Sequence, residues 1–292
     1  MNRSHRIPAL TAALAAASLA LVACGGESGG TAGGGLLAQI ESGNVTLGTK
    51  FDQPGLGLRG SDGDMSGLDV DVLKYIVNHI AADKGWDEPS IEWRESPSAQ
   101  RETLIQNGEV AAIAATYSIN PSRAEAVSFA GPYLLTHQAL LVRADDSGIT
   151  GLDDLEGRVL CSVTGSTPAQ KVKDELPGVQ LQEYDTYSSC VEALKNGNVD
   201  ALTTDATILG GYAAQSPGDF QVVELAKDGK QFTDEYYGVG VTKDDQEAVD
   251  AVNAALKAMY DDGSFDTFLD ENVDGGEGVE RTEPGDLSFL NS

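Results

Sequence analysis

Short apolar segments alternate with amphipathic segments along most of this chain, and this alternation constrains the fold more than any other feature. The first apolar segment is VTLG at 45–48, and the following segment 67–82 has apolar residues at helical spacing. Asp69 or Asp71 is placed to cap that helix. Strands that alternate with helices in this way predict an α/β fold with a largely parallel sheet.

The same pattern starts again in the second half of the chain. The predicted elements there are strands at 139–142, 158–163 and 199–203 and helices at 167–176 and 188–196. A last strand at 236–241 and a helix at 246–260 return to the first unit. We therefore predict two lobes, one formed by 37–141 and 236–292 and the other by 142–235. Two hinge crossings would join them, and a cleft between lobes favours a small ligand.

The N-terminus has the features of an export signal. Arg3 and Arg6 precede an apolar run at 7–20, and the sequence LVA then leads into Cys24. The run is shorter than the roughly 20 residues that a membrane span needs, and these features predict a signal peptide over residues 1–23. A cysteine in this position resembles the bacterial lipobox, which implies a lipidated Cys24. The alternative is an ordinary secretory signal with a cysteine there by chance.

Two further segments are rich in glycine. Residues 25–36 are mostly glycine and small polar residues, and they predict a flexible linker between a lipid anchor and a folded body. The residues after Asn272 are acidic and glycine-rich, and we expect them to form a loosely ordered extension. The predicted location is the extracellular face of the cell membrane.

Charge and cysteine content limit the partners. The net charge is −27, which repels nucleic acid at long range, so no nucleic-acid partner is predicted. Cys161 and Cys190 remain if Cys24 carries lipid, and two cysteines in an exported body predict a disulfide. A pair of buried thiols is the alternative. With 3 histidines in the chain, we predict no metal site and no cofactor.

The sequence favours binding over catalysis. It contains no P-loop, and only His79 and His137 lie beyond the predicted signal peptide. No nucleophile–base pair is evident, so we predict no catalytic residue and a protein that is not an enzyme. We also expect a monomer.

The segment TYSINPSR at 116–123 has the composition of a carboxylate site. Thr116 and Ser118 lie two residues apart, so in an extended chain their hydroxyls point the same way. A helix begins near Pro121, where free N–H groups favour an anion, and the Arg123 guanidinium can bind a carboxylate through two hydrogen bonds. The alternative is a surface arginine paired with Glu125.

Several segments resemble one family. They are TYSINPSRAEAVSFAGPY at 116–133, SGLDVDVLKYI at 66–76 and NGNVDALTTD at 196–205. They resemble the polar-amino-acid-binding proteins of bacterial ABC importers (extracellular family 3). The run TLGTKFDQPGLGLRG at 46–60, with the lipobox, is most similar to actinobacterial glutamate-binding lipoproteins. The resemblance implies a two-lobed periplasmic-binding-protein fold of type II that closes on its ligand.

The resemblance also implies a ligand site. The residues implied for the ligand α-carboxylate are Arg123, Thr116, Ser118, Ser166 and Thr167. Asp205 matches the family aspartate that accepts from the α-ammonium. The alternative for Ser166, Thr167 and Asp205 is that each caps a helix.

Two cations match the side-chain end of the site. Relatives that bind basic amino acids have an aspartate at the position of Lys50, whereas dicarboxylate-binding relatives have an arginine there and a second arginine that matches Arg101. This implies an acidic ligand, glutamate or aspartate, with glutamine or asparagine as the alternative because Lys50 replaces the arginine. Alternatively, Lys50 extends to solvent and Arg101 pairs with Glu95 or Glu102.

The family further implies delivery of the ligand to ABC permease subunits in the membrane. A sensor that signals to a membrane receptor would use the same lobe closure and is the alternative. A dehydratase, which a few relatives are, would need an additional acid in the cleft.

Overall fold

The structure is a computed structural model that describes residues 34–273 and 278–291. The predicted signal peptide 1–23, the lipidation of Cys24 and linker residues 25–33 lie outside the described residues. Leu36, at the end of the predicted linker, is buried and begins the first helix.

The strands alternate with helices as the sequence predicts. The strands are β1 (Asn44–Thr49), β2 (Asp52–Gln53), β3 (Gly57–Arg59), β4 (Met65–Ser66), β5 (Ser90–Glu95), β6 (Ala112–Ile113), β7 (Ser128–Thr136), β8 (Gln138–Arg143), β9 (Val159–Val163), β10 (Gln180–Tyr184), β11 (Ala201–Asp205), β12 (Phe220–Glu224), β13 (Ala226–Lys227), β14 (Lys230–Gln231) and β15 (Glu235–Val241). The helices are α1 (Leu36–Glu41), α2 (Leu68–Lys84), α3 (Arg101–Gln106), α4 (Pro121–Ala126), α5 (Thr167–Glu175), α6 (Tyr187–Lys195), α7 (Ala206–Gln215), α8 (Gln246–Asp261) and α9 (Ser264–Asn272). Short 3-10 turns lie at Ser98–Gln100, Leu152–Leu155 and Ser288–Asn291.

Two five-stranded sheets organise the fold. The first has the order β5-β1-β6-β15-β7 and the second the order β10-β9-β11-β8-β12. In each sheet the strands that belong to βα units pair in parallel, whereas β15 in the first sheet and β8 in the second pair antiparallel with both neighbours. The expected largely parallel sheet is therefore wrong. Each sheet is mixed because the strands that cross between lobes enter it directly, without a helical crossover.

The chain passes between the sheets at two places. β7 ends at Thr136 in the first sheet and β8 begins at Gln138 in the second, so the first crossing lies at His137. The return ends at Glu235, which pairs with Thr136 in the first sheet. Residues 138–141, which we assigned to the first lobe, pair in the second sheet. We therefore propose His137 and Glu235 as the lobe boundaries. The first lobe is hereafter the first sheet with its helices and the small β2-β3-β4 sheet, and the second lobe is the second sheet with its helices and the β13-β14 hairpin.

Helix α2 packs on the first lobe with its predicted apolar face. Val72, Ile76 and Ile80 are all buried in the same core as α8. The predicted cap is wrong, because the helix begins after Gly67 without a side-chain cap and Asp69 is fully buried. The role of Asp69 is in the candidate site.

The C-terminal segment 278–291 packs on the first lobe. Glu280 forms an antiparallel bridge with Leu135, and the N–H of Gly285 donates to the carbonyl of Gly131 over 2.8 Å. Phe289 stacks on Tyr236 with ring centroids 3.9 Å apart. The expectation of a loosely ordered extension is therefore wrong for these residues. These residues include few apolar side chains, so the composition of the segment does not predict its contact with the first lobe.

Cys161 and Cys190 form the predicted disulfide, which joins β9 to α6 within the second lobe. None of the helices between residues 34 and 273 or between 278 and 291 is both long and apolar enough to cross a bilayer.

Candidate ligand-binding site

The predicted ligand residues meet where the two sheets face each other. Lys50 follows β1, Thr116 and Ser118 follow β6, and Ser166 follows β9, while Asp205 ends β11. The carboxyl ends of parallel strands are the usual place for a ligand in α/β folds. All the predicted ligand residues are buried except Thr167, which is partly exposed. The structure thus brings together side chains from both lobes.

Arg123 contacts both lobes. Asn120 caps α4 by accepting from the N–H of Arg123 over 2.9 Å, which fixes the start of the helix. The guanidinium donates to the Ser118 carbonyl over 2.7 Å and to the Gly165 carbonyl of the second lobe over 2.9 Å. Its Nε lies 3.5 Å from a Glu102 carboxylate oxygen. The alternative surface pair with Glu125 is therefore wrong. A guanidinium has five N–H donors, so further donors remain for a ligand carboxylate.

The hydroxyls of Ser118 and Thr167 meet across the cleft. Their oxygens are 3.2 Å apart, and the Thr167 hydroxyl donates to a carboxylate oxygen of Glu235 over 2.8 Å. Glu235 is buried at the start of β15, and burial raises the pKa of its carboxyl. Glu235 was not predicted as a site residue, because its partner Thr167 lies far away in the chain.

Ser166 is the N-cap of α5, where its hydroxyl accepts from the N–H of Ala169 over 3.1 Å. The alternative that this serine caps a helix is therefore confirmed. A ligand contact by Ser166 or Thr167 stays a prediction.

Asp205 has one carboxylate oxygen that is bonded and one that is not. Its Oδ2 accepts from the Tyr237 hydroxyl, whereas Oδ1 is buried and has no hydrogen-bond partner among the described residues. Burial, followed by repulsion from Glu235, raises the pKa of this carboxyl well above its usual value. Asp205 does not cap α7 with its side chain, so that alternative is wrong. A buried carboxylate oxygen without a donor is costly, and a ligand ammonium would supply the donor.

Lys50 and Arg101 form a buried cationic pair. The Lys50 ammonium donates to Ser98 Oγ over 2.9 Å. The Arg101 guanidinium donates to the carbonyls of Ala115 and Thr116 over 2.9 and 3.1 Å. Within the described part of the chain, neither cation forms an ion pair with a carboxylate. The alternatives of a solvent-exposed Lys50 and of an Arg101 paired with Glu95 or Glu102 are therefore wrong.

The buried cations of this pair repel each other. Burial, then repulsion from Arg101, lowers the pKa of Lys50 to about 7. Burial, then repulsion from Arg123, lowers the pKa of Arg101 to about 10. An anion placed between these cations would relieve the repulsion and raise both pKa values.

Asp69 supports the loop that holds Thr116. Its Oδ2 accepts from the N–H of Thr116 over 2.8 Å, and its Oδ1 accepts from the Tyr133 hydroxyl over 2.6 Å. Thr116 has φ = 47°, an uncommon backbone conformation for a β-branched residue. These bonds hold the residue in that conformation. Burial raises the pKa of Asp69 to about 6.

Among the described residues, the site combines cations at two points, Arg123 and the pair Lys50 and Arg101, with the Asp205 Oδ1 atom, which has no hydrogen-bond donor. This arrangement suits a small zwitterion that carries more than one anionic group. A two-lobed α/β chain with such a buried cluster between its sheets belongs to the class of periplasmic-type binding proteins.

The family follows from sequence comparison. Residues 45–273 match the model of bacterial extracellular solute-binding proteins, family 3, and the chain belongs to this family. This confirms the family inferred from the sequence segments.

Several known proteins are similar over nearly their whole length. The glutamate-binding protein GluB of Corynebacterium efficiens is 68% identical over 287 residues, which cover 98% of this chain and 97% of the relative. The ABC transporter glutamine-binding protein GlnH of Bacillus subtilis is 34% identical, with 86% of this chain and 90% of the relative covered. An ancestral arginine-binding protein bound to glutamine has a TM-score of 0.70 at 30% identity, covering 80% of this chain and 99% of that one. These matches confirm the predicted type II two-lobed fold.

Proposed function

We propose that this protein captures an acidic amino acid, glutamate foremost and aspartate second, and delivers it to an ABC permease. The observation that carries the proposal is the buried pair Lys50 and Arg101, which has no carboxylate partner among the described residues. The similarity to a protein named for glutamate binding supports the same ligand.

The proposed ligand pose follows from charge. The α-carboxylate binds Arg123, near the Ser118 and Thr167 hydroxyls, and the α-ammonium donates to Asp205 Oδ1. The side-chain carboxylate then lies between Lys50 and Arg101. Leaving one buried charge without its partner costs about 3–5 kcal/mol. That energy corresponds to about 100-fold or more in affinity, so glutamate should bind far more tightly than lysine or arginine.

Glutamine is the second candidate. One relative is named for glutamine binding, and one solved relative holds glutamine. A side-chain amide accepts hydrogen bonds from Lys50 and Arg101 but leaves their charges unneutralised. We therefore expect glutamine to bind more weakly than glutamate.

Binding and closure are the proposed mechanism, without chemical conversion of the ligand. Arg123 and Asp205 come from different lobes, so a ligand that contacts both stabilises the closed state over the open one. The closed protein then docks on the permease.

Calorimetry of the protein, freed of ligand by unfolding and refolding, tests the proposal against a panel of common amino acids. We expect glutamate to bind most tightly, aspartate next and glutamine more weakly. Preferential binding of lysine or arginine would contradict the proposal. Binding of glutamine at least as tightly as glutamate would favour the second candidate.

We also propose that Cys24 carries a lipid that holds the protein at the extracellular face of the membrane. Expression of the full chain in cells supplied with radiolabelled palmitate tests this directly. The wild-type chain should incorporate label and fractionate with membranes, whereas Cys24→Ala should incorporate none. Label in the variant at the wild-type level would contradict the proposal.

A further inference from the structure

A second contact between the lobes lies outside the ligand site. The β2–β3 hairpin of the first lobe reaches α6 and α7 of the second. We call this contact the hairpin interface, and its residues are Asp52, Pro54, Ser188, Gly211 and Tyr212.

Asp52 is the polar centre of this interface. Its Oδ2 accepts from the N–H of Ser188 over 3.1 Å and from the Tyr212 hydroxyl over 3.3 Å. The same hydroxyl donates to the Asp52 carbonyl over 2.7 Å, so its single proton is shared and the carbonyl holds the shorter bond. Asp52 therefore accepts from donors on two different helices of the opposite lobe. No hydrogen bond joins its side chain to a predicted ligand residue in the described part of the chain.

Gly211 allows the two lobes to come into close contact at this interface. A Cβ built on Gly211 would lie 2.2 Å from the carbonyl oxygen of Pro54, which is far inside contact distance. Pro54 belongs to the first lobe and Gly211 to α7, so only glycine allows the lobes to approach this closely. The neighbouring Gly210 has open space, with nothing within 4 Å of its Cβ position.

The second-lobe side of the interface is firmly held. Ser188 lies in the first turn of α6, and the same helix is joined to β9 through Cys190 and Cys161. Tyr212 is 4% exposed in α7. The helices that contact Asp52 are therefore anchored in the body of the second lobe and do not belong to a flexible loop.

We propose that the hairpin interface is a closing contact, in which Asp52 and Gly211 set the closed fraction of the protein and the residence time of its ligand without touching the ligand. The inference rests on the proposed function only in requiring that the lobes separate to release a ligand. In the open form the hydrogen bonds of Asp52 break and Pro54 leaves Gly211. Residues that make no hydrogen bond to the predicted ligand residues therefore affect affinity through the closing equilibrium.

The test compares Gly211→Ala with Gly210→Ala. Both substitutions replace a helical glycine by a better helix former, but only the first inserts an atom between the lobes. Stopped-flow measurements give the glutamate dissociation rate, and small-angle X-ray scattering gives the radius of gyration with and without glutamate. We expect Gly210→Ala to match the wild type. Gly211→Ala should release glutamate at least about tenfold faster and stay larger in the presence of ligand.

Tyr212→Phe tests the polar part without a change of charge. It removes the one hydroxyl proton that Asp52 accepts from Tyr212, and the loss of this shared hydrogen bond corresponds to about 2- to 10-fold faster dissociation. The ratio of glutamate to glutamine affinity should not change, because Tyr212 does not contact the ligand.

Two outcomes overturn the proposal. The first is that the two glycine variants have equal dissociation rates and equal scattering. The second is that Tyr212→Phe loses affinity for one of the two ligands only. If the wild type binds glutamine and not glutamate, the proposed function fails and the same comparison proceeds with glutamine. If neither binds, the comparison proceeds with the amino acid of the calorimetric panel that binds most tightly. A larger radius for ligand-bound Gly211→Ala than for ligand-bound Gly210→Ala supports the closing contact, and equal radii refute it.

Discussion

Replacing Lys50 with methionine removes a charge from the side-chain end of the site and keeps a side chain of similar length. Lys50 is 4% exposed, and its ammonium donates to Ser98 Oγ. Breaking a buried ion pair costs about 3–5 kcal/mol. Arg101 stays in the variant and still faces the ligand, so we take the lower end of that range. The expected loss of glutamate affinity is about 100-fold.

Glutamine should respond differently, because its side chain carries no charge. Lys50→Met removes one hydrogen bond to the amide but also the repulsion between Lys50 and Arg101. One hydrogen bond is worth about 1 kcal/mol, so glutamine affinity should fall by less than about fivefold. The ratio of glutamate to glutamine affinity should therefore fall by at least about 20-fold.

Calorimetry with both ligands measures this ratio. Lys230→Met is the matched control, since Lys230 is exposed in β14 and lies outside the site. The control should bind both ligands as the wild type does. Equal losses for the two ligands in Lys50→Met, or unchanged glutamate affinity, would refute the placement of the side-chain carboxylate beside Lys50.

Three further predictions follow from the same geometry. The pKa of Lys50 is lowered to about 7 in the ligand-free protein, and a bound carboxylate raises it, so glutamate binding above pH 7 should take up protons and weaken as pH rises. Calorimetry in buffers of different ionisation enthalpy should show this uptake reduced in Lys50→Met, and equal uptake in both proteins would contradict it. Asp205→Asn should lower glutamate affinity by about 100-fold with little loss of thermal stability, because Oδ1 has no donor among the described residues. Unchanged affinity would show that the ligand ammonium does not bind at Asp205. Replacing Cys161 and Cys190 with serine should lower the free energy of unfolding by about 3 kcal/mol, measured by denaturant titration, and an unchanged midpoint would contradict that role.

Local patterns in the sequence predicted the elements and the carboxylate segment at 116–123, whereas the other site residues followed from the family resemblance. Periodic apolar residues placed α2 within two residues of its observed ends, and the segment at 116–123 predicted a helix start that Asn120 and Pro121 provide. Arg123 was found from its place at the start of a predicted helix, whereas Asp205 was found through the family resemblance.

The supporting residues could not be predicted in this way. Glu235 accepts from Thr167, and Asp69 holds Thr116, so each acts through a partner that is distant in sequence. Asp69 looked like a helix cap because it lies in the first turn of α2. The sequence alone did not locate the first crossing, because Thr136 and Gln138 beside His137 are both buried and buried apolar residues such as Leu134 and Ala139 continue on either side of them.

A crystal structure of the protein grown with glutamate tests the central claim most directly. We expect the ligand between the lobes, with its side-chain carboxylate within hydrogen-bond distance of Lys50 Nζ and the Arg101 guanidinium. The α-carboxylate should bind Arg123, and the ammonium should lie at Asp205 Oδ1. A glutamate whose side-chain carboxylate makes no contact with Lys50 or Arg101 would contradict the account of how this site selects an acidic ligand.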